Sequence, residues 1–252
     1  MTAPLCLRLA DCDGWHPDAF AESLSAEERT RADRYRRAVD RGRFVVRRGL
    51  LRRLLGELLG LPPAGVPLDS TAQGKPVLAG TAAPARVAFN LSHSGGTALF
   101  GLAPAVGEGM DAVIGVDLEA VEARRRTLDE LLHVARRIAP EEAEALAAMP
   151  GMDAAAAFHR LWTCKEACLK CLGTGIGGGG PEIATVVRTA AADGDGVETW
   201  RAGGHAWSVR CFEPCPGHVA AIARPTGAGA VPGIAELDWL RPSDGERHPA
   251  ER

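Results

Sequence analysis

The sequence predicts an α+β fold made of two similar subdomains. Helical and strand-like segments are both present, and each half of the chain shows a helix, a strand and then a pair of strands. The boundary is expected near residues 104–112, which divides the chain into 1–111 and 112–252. A functional site is expected in the cleft between the two halves.

The first half is predicted to contain one long helix and an antiparallel strand pair. Apolar residues recur at helical spacing over residues 40–59, and Gly60 follows as a stop signal. Strand-like runs cover residues 86–91 and 98–103, and a turn is expected at residues 73–76.

The second half is predicted to contain two helices and four strands. The helices are expected at residues 127–149 and 154–172. The strands are expected at residues 114–119, 183–187, 207–212 and 218–223.

Two further segments of the second half are expected to be flexible. The glycine run at 177–180 lacks the lysine and hydroxyl of a phosphate-binding loop, which favours a connector. A flexible tail is expected from about residue 225, with one apolar patch at residues 234–240 that docks on the fold.

The composition is that of an ordinary globular protein. Of the 252 residues, 46% are hydrophobic and 24% are charged. Seven cysteines are an odd and sparse set, which favours reduced thiols. Neither a signal peptide nor an apolar run of membrane-spanning length is visible. The expectation is a cytoplasmic protein without a membrane partner.

Positive charge is concentrated in one segment of the chain. Residues 29–53 hold eleven arginines against two aspartates. This pattern is typical of a solvated helix face, and it also suits a site for an anion. The chain has three lysines, which are Lys75, Lys165 and Lys170, and all three lie inside candidate motifs.

Three acidic residues form the clearest chemical signal. Asp117 and Glu119 are two apart on a predicted strand, so their side chains share one face. Glu166 lies on a predicted helix that can bring it to them. Carboxylates without histidine suit a hard cation such as Mg²⁺, which takes substrate phosphates as further ligands. The pattern therefore indicates phosphate chemistry.

The helix at 154–172 has two distinct faces. The face predicted to pack in the core holds Leu161, Cys164, Cys168 and Cys171. The other face holds Trp162, Glu166 and Lys170. A zinc site made of the three cysteines and His159 is the competing interpretation, although cysteines spread along one continuous helix match none of the usual structural spacings.

A histidine between two serines stands at the end of a predicted strand, in the run Ser92-His93-Ser94. A lone histidine is more often structural than catalytic, and a serine–histidine nucleophile pair requires partners in space. The position also suits hydroxyl and imidazole groups that contact a phosphate.

Four motifs together resemble those of Sfp-type 4′-phosphopantetheinyl transferases, in order and in spacing. They are Gly74-Lys75-Pro76, Phe89 to Ser94, Ile114 to Glu119 and Trp162 to Lys170, and the resemblance spans roughly residues 25–225. It implies two similar halves in a pseudo-twofold arrangement, with coenzyme A and Mg²⁺ in the cleft between them. It also implies transfer of the 4′-phosphopantetheine arm of coenzyme A to a serine of an acyl or peptidyl carrier protein, with release of adenosine 3′,5′-bisphosphate.

The resemblance also implies roles for individual residues. The metal ligands are Asp117, Glu119 and Glu166, and the catalytic residues are Glu166, which takes the serine proton, and Lys170, which favours the leaving group. The residues that contact coenzyme A are Ser92, His93 and Lys170 at the phosphates, Lys75 elsewhere in its site, and Arg31 and Arg43 at the 3′-phosphate and adenine end.

Two positions depart from the family pattern. Glu28 stands where another basic residue is expected, so the 3′-phosphate is expected to depend on Arg31 and its neighbours. In the segment 137–142 no aromatic residue precedes the glutamate Glu142, which weakens the case for Glu142 as a site residue.

Two other functions stay open from the sequence. One is a non-catalytic relative that binds coenzyme A. The other is a nucleic-acid-binding protein that uses the arginine-rich segment, which the many acids and few aromatic residues disfavour. Fatty-acid, polyketide and nonribosomal-peptide carriers all offer the required serine, and the last two belong to secondary metabolism. A monomer is expected, because one chain supplies both halves.

Overall fold

The computed structural model describes residues 6–71, 74–79, 87–104, 113–121, 127–173, 181–228, 231 and 237–249. Its α-helices are α1 (Ala26–Asp33), α2 (Ala38–Leu59), α3 (Leu128–Ile138), α4 (Pro140–Ala147) and α5 (Gly151–Leu172). Its first strands are β1 (Cys6–Asp11), β2 (Leu68–Ser70), β3 (Pro76–Leu78), β4 (Val87–Ser94), β5 (Thr97–Pro104) and β6 (Gly115–Ala120). They are followed by β7 (Val187–Ala190), β8 (Val197–Ala202), β9 (His205–Phe212), β10 (His218–Pro225) and β11 (Leu237–Trp239).

Two larger sheets form the centre of the fold, and the mixed α+β class is confirmed. The first sheet has the strand order β11-β1-β5-β4, and the second has the order β6-β10-β9-β8-β7. Strands β2 and β3 form a separate pair beside them. Adjacent strands are antiparallel except for β1 and β11, which run parallel.

Three hydrophobic cores arrange these elements in four layers. One core packs α2 against the first sheet, and another packs α3, α4 and α5 against the second sheet. The third core lies between the sheets, where Leu9 and Leu99 meet Val116 and Ile222. Because side chains alternate along a strand, Asp117 and Glu119 lie on the face of β6 that is turned towards α5.

Helix α2 is the predicted helix at 40–59, extended by two residues at its start. Gly49 allows the Phe20 side chain to pack directly on the backbone of α2, since a Cβ there would come within 2.3 Å of the Phe20 ring. Gly60 ends the helix in the left-handed conformation, with a φ of 67°, which glycine adopts without strain.

The prediction of a single helix at 127–149 is wrong, because the structure has two helices there. Ala139 separates α3 from α4 with a non-helical φ of −153°, and Pro140 is the first residue of α4. Proline has no N–H to continue the hydrogen bonds of α3, and it disfavours the helical conformation in the residue before it.

The strand predicted at 183–187 is also wrong. The segment Pro181–Thr185 is a short 3₁₀ helix, and the strand β7 begins only at Val187. The buried ammonium of Lys165 donates hydrogen bonds to the carbonyls of Ile183 and Val186. Ile183 and Val186 are both buried at a spacing of three, which fits a helical turn and not the alternation of a strand.

Part of the segment expected to be a flexible tail is folded. Leu237–Trp239 forms β11 and pairs with β1, so the apolar patch docks as expected. Glu246 forms an ion pair with Arg53, and Arg247 forms an isolated bridge with Trp15. The connector at 177–180 and most of the expected boundary at 104–112 lie outside the described residues.

Among the helices of the described segments, none is both long enough and apolar enough to cross a bilayer.

Candidate active site

A continuous groove follows the inner edge of the first sheet and ends between β6 and α5. Its inner part, about 340 Å³, is lined by Asp117, Glu119, Glu166 and Lys170 among others. Glu166 and Lys170 also line the next part, about 280 Å³, which in turn shares Arg31 and Arg48 with an outer part of about 840 Å³. The inner end of the groove is therefore acidic. The middle part is dominated by positive charge and is called the basic end below, since the outer part carries acids and arginines in equal number.

The acidic end is built by one strand and one helix. Strand β6 supplies Asp117, which is 3% exposed, and Glu119. Helix α5 supplies Glu166, 7% exposed, and Lys170 one turn later. The Nζ of Lys170 donates to Oδ1 of Asp117 at 2.7 Å, so the helix and the strand are joined by an ion pair.

The Ser92 hydroxyl lies at the centre of this arrangement. It donates to Oδ1 of Asp117 at 2.9 Å, and it accepts from Lys170 Nζ at 2.7 Å and from the Leu118 amide at 3.1 Å. The sequence placed Ser92 near a phosphate but did not reveal these contacts. In the structure Ser92 orients both the acid and the ammonium.

Glu166 has a carboxyl group whose pKa is strongly raised. Burial raises its pKa to about 8, with the negative charges of Asp117 and Glu119 acting in the same direction and the charge of Lys170 opposing them. The three acids therefore act on one another electrostatically. Glu119 has its own partner, since the indole N–H of Trp162 donates to its Oε1 at 3.2 Å.

The donors at the acidic end fit a magnesium ion in their chemistry. Asp117 Oδ2 is buried and has no hydrogen-bond partner among the described residues. A buried carboxylate oxygen of this kind, beside two further acids, is a suitable hard ligand. The three acids do not form a finished ligand set, because no three His, Cys, Asp or Glu side chains of the described residues are grouped closely enough to hold a metal.

His93 lies at the junction of the inner and middle parts of the groove. Desolvation by the surrounding protein and the positive charges of Arg47, Lys170 and Arg43 lower the pKa of its imidazole to about 4. We attribute more of this effect to the charges, because the residue itself is exposed on β4. The ring is therefore neutral at neutral pH.

Lys75 reaches the groove from the β2–β3 connection. Its Nζ donates to the carbonyl of Lys170 at 2.6 Å, near the C-terminal end of α5, where the helix dipole favours a cation. Burial lowers its pKa. The residue thus anchors the end of α5 beside the site and at the same time lines the groove.

The basic end of the groove is organised around the Phe44 ring. The guanidinium groups of Arg31 and Arg48 lie 5.3 Å and 5.8 Å from the ring centroid. Arg47 and Tyr35 line the middle part of the groove with them. The sequence assigned Arg31 but not Arg47, Arg48, Tyr35 or Phe44, although their positions in the arginine-rich segment were a usable signal.

Glu28 has a clear structural role, which explains the departure noted from the sequence. It completes a capping box with Ser25 at the start of α1. Its carboxylate also accepts from Arg52 Nε at 2.7 Å and lies 3.3 Å from Arg48 Nε. Glu28 therefore joins α1 to α2 and forms ion pairs with two buried arginines.

Arg43, which was assigned to the coenzyme A site, and Glu142, for which the case was weak, are not among the residues that line the groove. Arg43 makes a two-pronged ion pair with Asp13, with 2.7 Å between Arg43 Nε and Asp13 Oδ1, and this contact lowers the pKa of Asp13. Glu142 lines a separate cavity of about 270 Å³, together with Cys164 and Cys211. The three cysteines of α5 pack in the core, as predicted.

Comparisons with known proteins match both halves of the chain. A family model described as 4′-phosphopantetheinyl transferase superfamily matches residues 113–223. A second model, 4′-phosphopantetheinyl transferase, N-terminal, matches residues 14–103. The first matched segment contains Asp117, Glu119, Glu166 and Lys170, and the second contains Arg31, Lys75 and Ser92.

Individual relatives point to the same family. The 4′-phosphopantetheinyl transferase HetI of Nostoc sp. is 39% identical over 158 residues, which are 62% of each chain. A phosphopantetheinyl transferase of Thraustochytrium sp. is 34% identical over 66% of this chain and 60% of its own. The human L-aminoadipate-semialdehyde dehydrogenase-phosphopantetheinyl transferase is 27% identical over 66% of this chain and 55% of its own.

These alignments span about three fifths of the length of the curated relatives. The two family models, however, match the chain in sequence order and leave only residues 104–112 unmatched between residues 14 and 223. Together with the groove that joins the motif residues, they lead to one conclusion: the chain belongs to the 4′-phosphopantetheinyl transferase superfamily.

Proposed function

We propose that this protein transfers the 4′-phosphopantetheine arm of coenzyme A to a serine of an acyl or peptidyl carrier protein. The reaction is Mg²⁺-dependent and releases adenosine 3′,5′-bisphosphate. The observation that carries the proposal is a single groove with the acids and Lys170 at its inner end and an arginine cluster along its middle part. Its length and charge distribution suit a long substrate with separated phosphate groups.

The basic end supports binding of the 3′-phosphate and the adenine. Arg31 is exposed in the groove and is held over the Phe44 ring, so its guanidinium is oriented before a ligand arrives. Arg48 is held from both sides, by Phe44 and by Glu28. Guanidinium groups fixed in this way are suited to two-pronged contacts with a phosphate.

The acidic end supports the chemical step. Asp117, Glu119 and Glu166 would hold Mg²⁺, which supplies charge neutralisation at the pyrophosphate when it is bound. Lys170 is positioned by Asp117 and Ser92, so its ammonium can stabilise charge on the departing phosphate. Neutral His93 can donate a hydrogen bond to a phosphate oxygen without adding charge.

Glu166 is the proposed base for the carrier serine. A carboxyl with a pKa of about 8 is mostly protonated at neutral pH, so it accepts a proton efficiently only once its pKa is lowered. The pKa of about 8 already includes the lowering effect of the positive charge of Lys170, and a divalent cation beside Asp117 would lower the pKa further. Reaction rates are therefore expected to rise with pH.

The test is the intact mass of an apo carrier protein after incubation with the enzyme, coenzyme A and Mg²⁺. A gain of one phosphopantetheinyl group that a chelator abolishes is the expected result. Lys170→Ala should abolish the gain, whereas Lys165→Met, which changes a buried lysine on the other side of α5, serves as the matched control once its fold has been verified.

Failure has two distinguishable forms. If no acyl or peptidyl carrier gains mass but the protein binds coenzyme A, the chain is a non-catalytic relative. If coenzyme A does not bind either, the assignment of the groove is wrong.

A further inference from the structure

Three polar side chains on β4 accept hydrogen bonds from the backbone amides along the unpaired edge of β6. Strand β6 is the outermost strand of the second sheet and pairs with β10 on one side only. On its other side the amide of Val116 donates to Asn90 Oδ1 at 3.0 Å. The amides of Leu118 and Ala120 donate to Ser92 Oγ at 3.1 Å and to Ser94 Oγ at 3.0 Å.

These contacts form a ladder with a period of two residues on both strands. Alternate residues of β4 turn their side chains to the same face, and alternate residues of β6 turn their amides to the same edge. The ladder residues Asn90, Ser92 and Ser94 therefore match Val116, Leu118 and Ala120 one to one. A slip of β6 by one residue would leave buried amides without acceptors, which is costly.

The ladder involves the same stretch of β6 that carries two acids of the site. Asp117 and Glu119 are the residues between the three bonded amides, so their positions follow from the register of β6. Ser92 already touches Asp117 and Lys170. The side chains of Asn90 and Ser94 accept from the backbone of β6, and both are buried.

We propose that Asn90 and Ser94 are positioning residues that fix the register of β6 against β4 and, through β6, the placement of Asp117 and Glu119. Strand β4 belongs to the first sheet and β6 to the second, so the ladder also joins the two sheets at the site. The metal-binding part of this inference rests on the proposed function. The structural part does not.

The experiment removes one acceptor at a time. Ser94→Ala removes the acceptor for Ala120, and Asn90→Ala removes the acceptor for Val116. Ser94→Thr and Asn90→Asp keep an oxygen in place and are the rescue variants. Val209→Ala, a core truncation on β9 away from the ladder, controls for a general loss of stability.

Amide hydrogen exchange of the free protein, followed by NMR, is the first measurement. Exchange at Ala120 should accelerate several-fold in Ser94→Ala, up to about 10-fold, because one backbone donor loses its partner. Ser94→Thr should restore the wild-type rate. Val209→Ala should leave the amides of β6 in their wild-type order of protection.

The second measurement is the Mg²⁺ affinity in the presence of coenzyme A, by calorimetry. Removing a group that orients a metal ligand typically weakens metal affinity by about 10-fold or more. The expected pattern for Ser94→Ala is a Kd for Mg²⁺ raised by about 10-fold, with kcat at saturating Mg²⁺ close to the wild-type value.

The outcomes separate the two proposals. Faster exchange at Ala120 with an unchanged Mg²⁺ affinity would overturn the positioning role. The same loss of affinity in Val209→Ala would also overturn it. If the wild-type protein bound Mg²⁺ and coenzyme A but modified no carrier, the proposed transfer would fail, while the positioning role would still be judged by exchange and calorimetry.

Discussion

At the scale of single residues, a few polar atoms of the site each contact several other groups. The Ser92 hydroxyl alone contacts an acid, an ammonium and a backbone amide. Sequence patterns predicted that the acids of the strand would meet the glutamate and lysine of the helix, and these side chains do line one cavity. Acids two apart on a strand and a lysine four residues after a glutamate on a helix are local signals. They could not identify the contact between Ser92 and Lys170, which are 78 positions apart.

Glu166 gives a prediction for the pH dependence of stability. Its pKa is raised to about 8 in the folded protein, against an ordinary value near 4.5. Between these values the folded state binds more protons than the unfolded state, so stability contributed by this group falls as pH rises. Glu166→Gln should remove that fall. Thermal unfolding at pH 6 and pH 8.5 without divalent cations measures it, and an equal pH dependence in both proteins would contradict the assignment.

His93 gives a prediction of opposite sign for the pH dependence of stability. Its pKa is lowered to about 4, whereas a histidine in the unfolded chain titrates near 6.5. The unfolded state therefore binds the extra proton first as pH falls, and stability is lost between about pH 6.5 and pH 4. His93→Gln should flatten the pH dependence in that window. His133→Gln, an exposed change on α3, is the control and should leave the profile as it is.

At the scale of elements, sequence periodicity was sufficient for α2, α5, β6 and the β4–β5 pair. It failed where a distant contact or a proline decided the outcome. Pro140 was a visible signal for a helix break inside 127–149, whereas nothing local showed that Lys165 would hold the backbone at 183–186 in a helical turn. Strands β1 and β8 were not identified, although each is as long as β6.

The joint between α1 and α2 gives a prediction about stability. Glu28→Ala would leave Arg48 and Arg52 buried without their counter-charge and would remove half of the capping box. Breaking a buried ion pair on one side typically costs about 3 kcal/mol or more. Urea unfolding measures the loss. Glu27→Ala, an exposed change in the same helical turn, should cost well under that amount, and equal effects would show that the joint is not important.

At the scale of the whole molecule, charge is distributed unevenly although the net charge is only −3. Residues 29–41 carry exposed arginines, of which Arg31 and Arg34 line the outer part of the groove. A surface of this kind attracts acidic partners at low ionic strength, and the attraction is screened over about 10 Å at 0.1 M salt. Association with an acidic carrier protein is therefore expected to depend strongly on salt.

Salt titration of the transfer reaction tests this expectation. Raising the ionic strength from about 0.05 M to about 0.5 M should lower kcat/KM for the carrier by about 10-fold and change kcat much less. Arg36→Glu should weaken the salt dependence. Arg201→Glu, an exposed change on β8 of the other sheet, is the matched control. A flat salt profile in the wild-type protein would exclude steering by this surface.

The parallel pair of β1 and β11 has a consequence for the order in which the protein folds during synthesis. Leu7 pairs with Leu237, so the outermost strand of the first sheet is supplied by residues that leave the ribosome after the whole second sheet. Contacts between positions so far apart in sequence form slowly. Until they form, β1 is an exposed sheet edge, and the nascent chain has the greatest need of protection from aggregation during that interval.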